Sequence, residues 1–267
     1  MSTGGRAWLA LLWLVGLPGC TTLVNPDFPA DPQIVQAEWG RMKREPAEMP
    51  RPIVVLDGWR QPDFSARSLA RTIRKLTGVP QDRIVSESFL TRSTLERMAD
   101  DVVRRVERTW PSDDPEWTTE VDVVGFSMGG IVARTAAMPG EGDTPRKRLK
   151  IRRLYTIGSP HRGANLAKRI AMDKAARDMR PGTAFLERLN AALPEAGYEL
   201  VCYTHTNDRI VGARNAAPPG REPFWVQGTL FFSHFSTRLD RRILVDLALR
   251  LRGEPPLSIR GSEPPSD

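Results

Sequence analysis

Val121-Asp122-Val123-Val124-Gly125-Phe126-Ser127-Met128-Gly129-Gly130 is the stretch on which the fold turns. Its opening is a short, β-branched run of the kind that fills a strand covered on both faces. Ile131–Met138 behind it reads as a short helix, stopped by Pro139. Between strand and helix lies Gly-x-Ser-x-Gly. A serine at such a turn takes a strained backbone conformation, and a glycine on either side lets strand and helix pack closely around it. The helix start then directs backbone N–H groups and the positive end of a dipole at charge developing beside the serine. Ser127 is therefore the candidate nucleophile, in a nucleophile elbow with its proper strand–turn–helix setting.

Outward from this turn, strands and helices alternate. Ile53–Leu56, Arg83–Phe89, Val121–Val124, Ile151–Ile157, Glu199–Thr204 and Phe224–Gln227 read as strands. Ser65–Leu76 reads as a helix with Leu69, Ile73 and Leu76 on one face. Ser93 and Glu96 form a capping box, and the helix it opens carries Leu95, Met98, Ala99, Val102, Val103 and Val106 in one stripe. A C-terminal helix turns Leu239, Ile243, Leu244, Leu247, Ala248 and Leu251 inward, leaves Asp240 and Asp246 exposed, and ends at Gly253. This alternation implies an α/β fold with a mostly parallel central sheet and helices on both faces. The domain is expected over residues 51–252, with a loose tail at 253–267. Residues 164–196 carry amphipathic patches that suit either a cap over a site or ordinary crossover helices.

Composition narrows the function classes. The 267 residues are 40% hydrophobic and 27% charged, which supports a packed core and excludes global disorder. Of the 39 basic residues 33 are Arg, against 32 acidic residues, for a net charge of +7. Without a finger, helix-turn-helix or RNA-binding signature this charge reads as solvated surface, and no nucleic-acid partner is expected. Arg146–Arg153 is the densest basic run, readable as a solvated loop or a site for anionic lipid headgroups. The two cysteines exclude a disulfide scaffold, and with three histidines and no metal motif neither metal nor cofactor is expected.

The N-terminus reads as an address. Arg6 precedes an apolar run from Ala7 to Leu17 followed by small residues, so residues 1–19 read as a secretory signal peptide. Leu17-Pro18-Gly19-Cys20 resembles a bacterial lipobox, which implies cleavage before Cys20 and lipidation of its sulfur. Thr21 rather than Asp follows, which in a Gram-negative host implies outer-membrane retention. Pro-rich residues 20–50 read as a tether with a short helix around Gln33–Lys43. Loss of Arg6 leaves a charge of 38 − 32 = +6, with Cys202 as the only other thiol. The expected product is exported, lipid-anchored in the cell envelope, and faces the periplasm.

Three more stretches extend the elbow into a family resemblance: Thr156-Ile157-Gly158-Ser159-Pro160-His161-Arg162-Gly163, Asp178–Leu186, and Asn207-Asp208-Arg209-Ile210-Val211. With them the chain resembles the α/β-hydrolase superfamily over roughly residues 51–250, and within it bacterial serine lipases and esterases, including inositol-deacylase relatives. The resemblance implies the chain order Ser, acid, His, supplied here by Ser127, Asp208 and His234. A serine hydroxyl needs an imidazole to take its proton, and only His161, His205 and His234 exist. His161 falls in the block resembling the family's structural loop, and His205 lies too close to Asp208. His234, just before the C-terminal helix, stands where the family places its base.

One oxyanion donor is expected from the N–H of Met128. The other is expected from the loop after the first strand, where relatives carry His-Gly and this chain has Asp57-Gly58-Trp59-Arg60, giving Trp59 or else Arg60. The resemblance implies hydrolysis of a small-molecule or lipid carboxylic ester through an acyl-enzyme. Acyl transfer, amide or thioester hydrolysis on the same residues, and a silent envelope-binding lipoprotein stay open.

Overall fold

Every run read as a strand is one. In the computed structural model, which describes residues 23–91, 94–140, 147–169, 172–229 and 232–265, six strands form a single sheet. They are β1 (Ile53–Trp59), β2 (Ile84–Phe89), β3 (Val121–Phe126), β4 (Ile151–Ile157), β5 (Glu199–His205) and β6 (Phe224–Val226). All pairs are parallel, in the order β2-β1-β3-β4-β5-β6. Among the described residues the helices are α1 (Pro32–Arg44), α2 (Asp63–Thr77), α3 (Leu95–Thr109), α4 (Met128–Ala137), α5 (Lys174–Asp178), α6 (Ala184–Ala191), α7 (Ser233–Thr237) and α8 (Arg241–Arg252).

Helices α1, α2 and α8 pack one face of the sheet around Ile53, Val55, Val124 and Tyr203. Helices α3, α4 and α6 pack the other around Val54, Leu56, Val123 and Leu154. Burial on both faces is why β3 is continuously apolar apart from Asp122, instead of alternating. This is the α/β-hydrolase arrangement. The chain leaves β1 outward to β2 and then crosses back to β3, so a crevice opens at the carboxyl ends of β1 and β3. The elbow lies there.

Several expectations need correction. Ser93 lies outside the described residues, and the cap of α3 is Thr94, whose Oγ1 accepts the Arg97 N–H at 3.3 Å. The described part of the 20–50 tether is not a tether. Asp31 caps α1, Phe28, Val35 and Met42 are buried in the core, and Asn25 Nδ2 donates to the Trp225 carbonyl at 2.9 Å. The helix expected around Gln33–Lys43 is α1, and Val35 and Met42, two turns apart on it, are its buried residues.

Nor is the tail loose. Ser258 donates its N–H to Asp246 Oδ1 at 2.7 Å and its hydroxyl to Oδ2 at 2.8 Å, and Ile259 N–H reaches the Asp27 carbonyl. Asp246 is accordingly buried, also accepting from Tyr203 Oη at 2.7 Å and Arg250 Nε at 3.1 Å. Asp240 is half-buried, as the N-cap of α8, whereas Leu239 precedes the helix and is 60% exposed. The described part of the basic run, from Lys147, stands at the amino end of β4, where Lys147 pairs with Glu107 and Arg148 with Glu116. It is thus at the opposite end of the sheet from Ser127.

Candidate active site

Ser127 has φ 52° and ψ −123°, a region that side chains rarely enter. The glycines around it show what holds this conformation. A Cβ on Gly125 would lie 2.5 Å from the Gly130 nitrogen. One on Gly129 would overlap the Leu56 carbonyl and stand 2.7 Å from that of Asp57. The elbow is therefore pressed on β1 backbone to backbone, and Ser127 N–H is fixed by the Ile157 carbonyl at 2.8 Å.

The structure brings Ser127, His234 and Asp208 into one hydrogen-bonded row. Ser127 Oγ lies 2.9 Å from His234 Nε2, and His234 Nδ1 lies 2.7 Å from Asp208 Oδ2. With Asp208 accepting the Nδ1 proton, Nε2 presents a lone pair to the serine hydroxyl. Asp208 is held in turn, its Oδ1 accepting the N–H groups of Ile210 and Val211, each at 3.0 Å. Gly158, at φ +58°, lets the chain pass beneath the pair, since a Cβ there would stand 3.2 Å from Asp208 Oδ2. Phe126 flanks the imidazole with a ring-centroid separation of 5.1 Å.

Met128 opens α4, so its N–H has no intrahelical acceptor. The end of β1 passes directly beside the serine, a Cβ on Gly58 falling 3.1 Å from Ser127 Cβ. Trp59 and Arg60 follow at once, and Arg60 shares a positive φ of 52°. The Trp59 side chain is not mere core filling. Its Nε1–H donates to Asp173 Oδ2 at 2.9 Å, while Asp173 Oδ1 caps α5 through the Ala176 N–H. The 164–196 segment is thereby split. Ala164, Leu166, Ala167, Ala176 and Met179 wall a cavity of about 310 Å³ that opens onto Ser127 and His234, whereas Leu186, Leu189 and Leu193 belong to the sheet's packing.

Neither of the other histidines reaches Ser127. His161 is fully buried, with Nδ1 accepting from Arg134 Nη1 at 2.9 Å and Nε2 meeting Thr156 Oγ1 at 3.1 Å. Burial and the adjacent Arg134 charge push its pKa well below the ordinary value, which leaves it neutral. His205 Nε2 lies 2.8 Å from Asp240 Oδ2, and its Nδ1 lies 3.1 Å from the Ser233 carbonyl and 3.2 Å from the Ser233 hydroxyl. It thus pins the residue before His234. Burial raises the Asp240 pKa, but hydrogen bonds from His205 and Arg242 outweigh it and hold the carboxyl well below the usual range. Cys202 is buried, its thiol pushed up to about 11 by desolvation, and is not a nucleophile at neutral pH.

Three residues that sequence reading left unassigned contribute. Asp173 anchors the cavity wall, as above. Asp57 is buried, accepts the Gly58 N–H at 2.8 Å and pairs with Arg238 at 3.4 Å. Burial raises its pKa, and the neighbouring Ser65 hydroxyl, the Gly58 N–H and Arg238 oppose that. Arg238 follows His234 by one helical turn, the one signal that linked it to the site.

Residues 87–178, from the end of β2 through the elbow to the end of α5, match the family model described as a PGAP1-like alpha/beta domain. Among solved structures, lipase BlEst2 from Bacillus licheniformis in its propeptide form is 14% identical, with 84% of this chain and 54% of that one covered and a TM-score of 0.53. This chain therefore spans about half of that relative. The mature form of the same lipase is also 14% identical, covering 73% and 89% at a TM-score of 0.49. Phospholipase PlaB from Legionella pneumophila is 15% identical, covering 60% and 40% at 0.44. No curated protein matches the chain. At these identities the structural likeness speaks for the fold. The chain thus has an α/β-hydrolase fold and is similar, over residues 87–178, to the PGAP1-like alpha/beta domain.

Proposed function

We propose that the protein hydrolyses carboxylic esters through an acyl-enzyme. The observation that carries this reading is the row Ser127–His234–Asp208, with bond lengths of 2.9 and 2.7 Å, at the mouth of an apolar cavity. His234 Nε2 takes the proton as Ser127 Oγ attacks the ester carbonyl. Asp208 holds the imidazole tautomer and stabilises the imidazolium that forms. The N–H of Met128 and that of Trp59 receive the oxyanion of the tetrahedral intermediate. Collapse expels the alcohol, which takes its proton from His234. Water, deprotonated by the same imidazole, then releases the acid. The acyl chain fits along Leu166, Met179, Val211 and Phe235, which offer it no charge to desolvate.

The test is intact-mass analysis after treatment with a fluorophosphonate. One adduct on the wild type and none on Ser127→Ala is the expected result. A folded wild type that stays unmodified in the presence of detergent would sink the reading.

Residues 1–20, outside the described part, support a location in the cell envelope through a lipid on Cys20. Cys20→Ser is then expected to abolish incorporation of a labelled fatty acid. Equal labelling of the variant would remove Cys20 as the acceptor.

A further inference from the structure

Arg238 stands where the end of β1, the residue before Ser127 and the turn bearing His234 meet. Its Nη1 lies 3.4 Å from Asp57 Oδ1 and 3.4 Å from Gln61 Oε1, at the two ends of the β1 loop that carries Trp59 and Arg60. Its guanidinium carbon stands 4.8 Å from the ring centroid of Phe126, the residue before Ser127. That ring flanks His234 at 5.1 Å, and Arg238 itself ends the turn α7 that bears His234. Asp57 is 2% exposed, and the same Oδ1 that faces Arg238 accepts the Gly58 N–H.

We infer that Asp57 and Arg238 form a clamp that sets the oxyanion-donor loop against the elbow and the base, making both positioning residues for the proposed esterase reaction. An ion pair this buried gains little stability over an apolar pair of the same volume, because desolvating the two charges offsets their attraction. What it adds is direction. A planar guanidinium has hydrogen-bond donors along its edge and a flat face for stacking, so it fixes loop, ring and turn at once. Asp57 closes the apolar run of β1, and its partner arrives from the turn that bears His234. The inference rests on the esterase reading.

The test compares wild type, Asp57→Asn, Arg238→Gln, Arg238→Lys and the double variant Asp57→Asn/Arg238→Gln. Each is measured for kcat and KM on a short-chain chromogenic ester, for the rate of fluorophosphonate modification, and for melting temperature. Either neutralising single variant is expected to lower kcat and the modification rate roughly ten- to a hundredfold, the scale of a misplaced loop, with KM within about twofold. Arg238→Lys keeps the charge without the fork and should recover only part of that loss.

The double variant decides between positioning and plain stability. Arg238→Gln leaves the buried Asp57 charge unpaired and Asp57→Asn leaves the half-buried Arg238 without its carboxylate, while the double variant removes both charges, so its melting temperature should recover as its kcat stays low. Recovery of both, or a wild-type kcat in either neutralising variant, overturns the clamp while leaving the esterase reading intact. Absence of any Ser127-dependent modification of the wild type overturns that reading, and the clamp with it.

Discussion

His234→Ala is expected to lower kcat on a carboxylic ester by about four to six orders of magnitude, and adding Ser127→Ala should lower it hardly further. The reason is that the row acts as one unit. A serine hydroxyl without a base 2.9 Å away stays protonated at neutral pH, and an imidazole without the serine has nothing to activate. Asp208→Asn should cost about four orders. The amide offers Nδ1 a donor or a poorer acceptor at 2.7 Å, so the imidazole turns its proton toward the serine and loses its lone pair there. His205→Ala supplies the contrast. That residue meets Asp240 and Ser233 rather than Ser127, so its loss should act on the melting temperature more than on kcat. Initial rates on one soluble ester, corrected for the folded fraction, separate these outcomes. Additive losses for the Ser127 and His234 variants, or an equal kcat loss for His205→Ala, would dismantle the assignment.

What the sequence disclosed about this site follows the range of the interactions involved. The elbow was readable because its determinants lie within six residues: a buried strand, two glycines, and a helix that begins at once. The strands were readable because burial on both faces leaves apolar runs, Ile53–Leu56 in β1 and Val123–Phe126 in β3. Asp208 and His234 needed the family's order, since nothing local marks them; an Asn-Asp pair also makes turns. Structure supplied the reason for their pairing, in the two N–H groups that aim Asp208 and the glycine beneath it.

The misread segments share one property. Residues 23–50, apart from the expected helix, and 253–265 are Pro-rich, and their attachment runs through distant partners, Trp225 for Asn25 and Asp27 for Ile259. Periodicity carries no trace of a hydrogen bond between positions 200 residues apart. The same holds for Arg238. Its contacts with Asp57 and Phe126 span the chain, so only its one-turn spacing from His234 hinted at a role.

Gly129→Ala is the stability counterpart, and its effect should be among the largest of any one-methyl change in this chain. The added Cβ would overlap the Leu56 carbonyl oxygen and stand 2.7 Å from both the Leu56 carbonyl carbon and the Asp57 carbonyl oxygen, all backbone atoms of a central strand. No side-chain rotation relieves such a clash, so α4 or the end of β1 has to move. Overpacking of this kind costs about 3 kcal/mol, or roughly 6–12 °C in melting temperature for a domain of this size. Gly40→Ala is the control. It lies within α1, and the nearest atom to its Cβ is the mobile Arg44 Nη1 at 3.2 Å. There the substitution should stabilise by about 0.5–1 kcal/mol, because alanine loses less backbone entropy in a helix. Function should diverge as well. The strand end that Gly129 abuts carries the loop of Trp59, so the folded fraction of Gly129→Ala should react with a fluorophosphonate at least about tenfold more slowly than wild type, and Gly40→Ala at the wild-type rate. A Gly129→Ala protein that melts and reacts like the wild type would mean that elbow and strand are not in contact, and the backbone-to-backbone seating of Ser127 would fall with it.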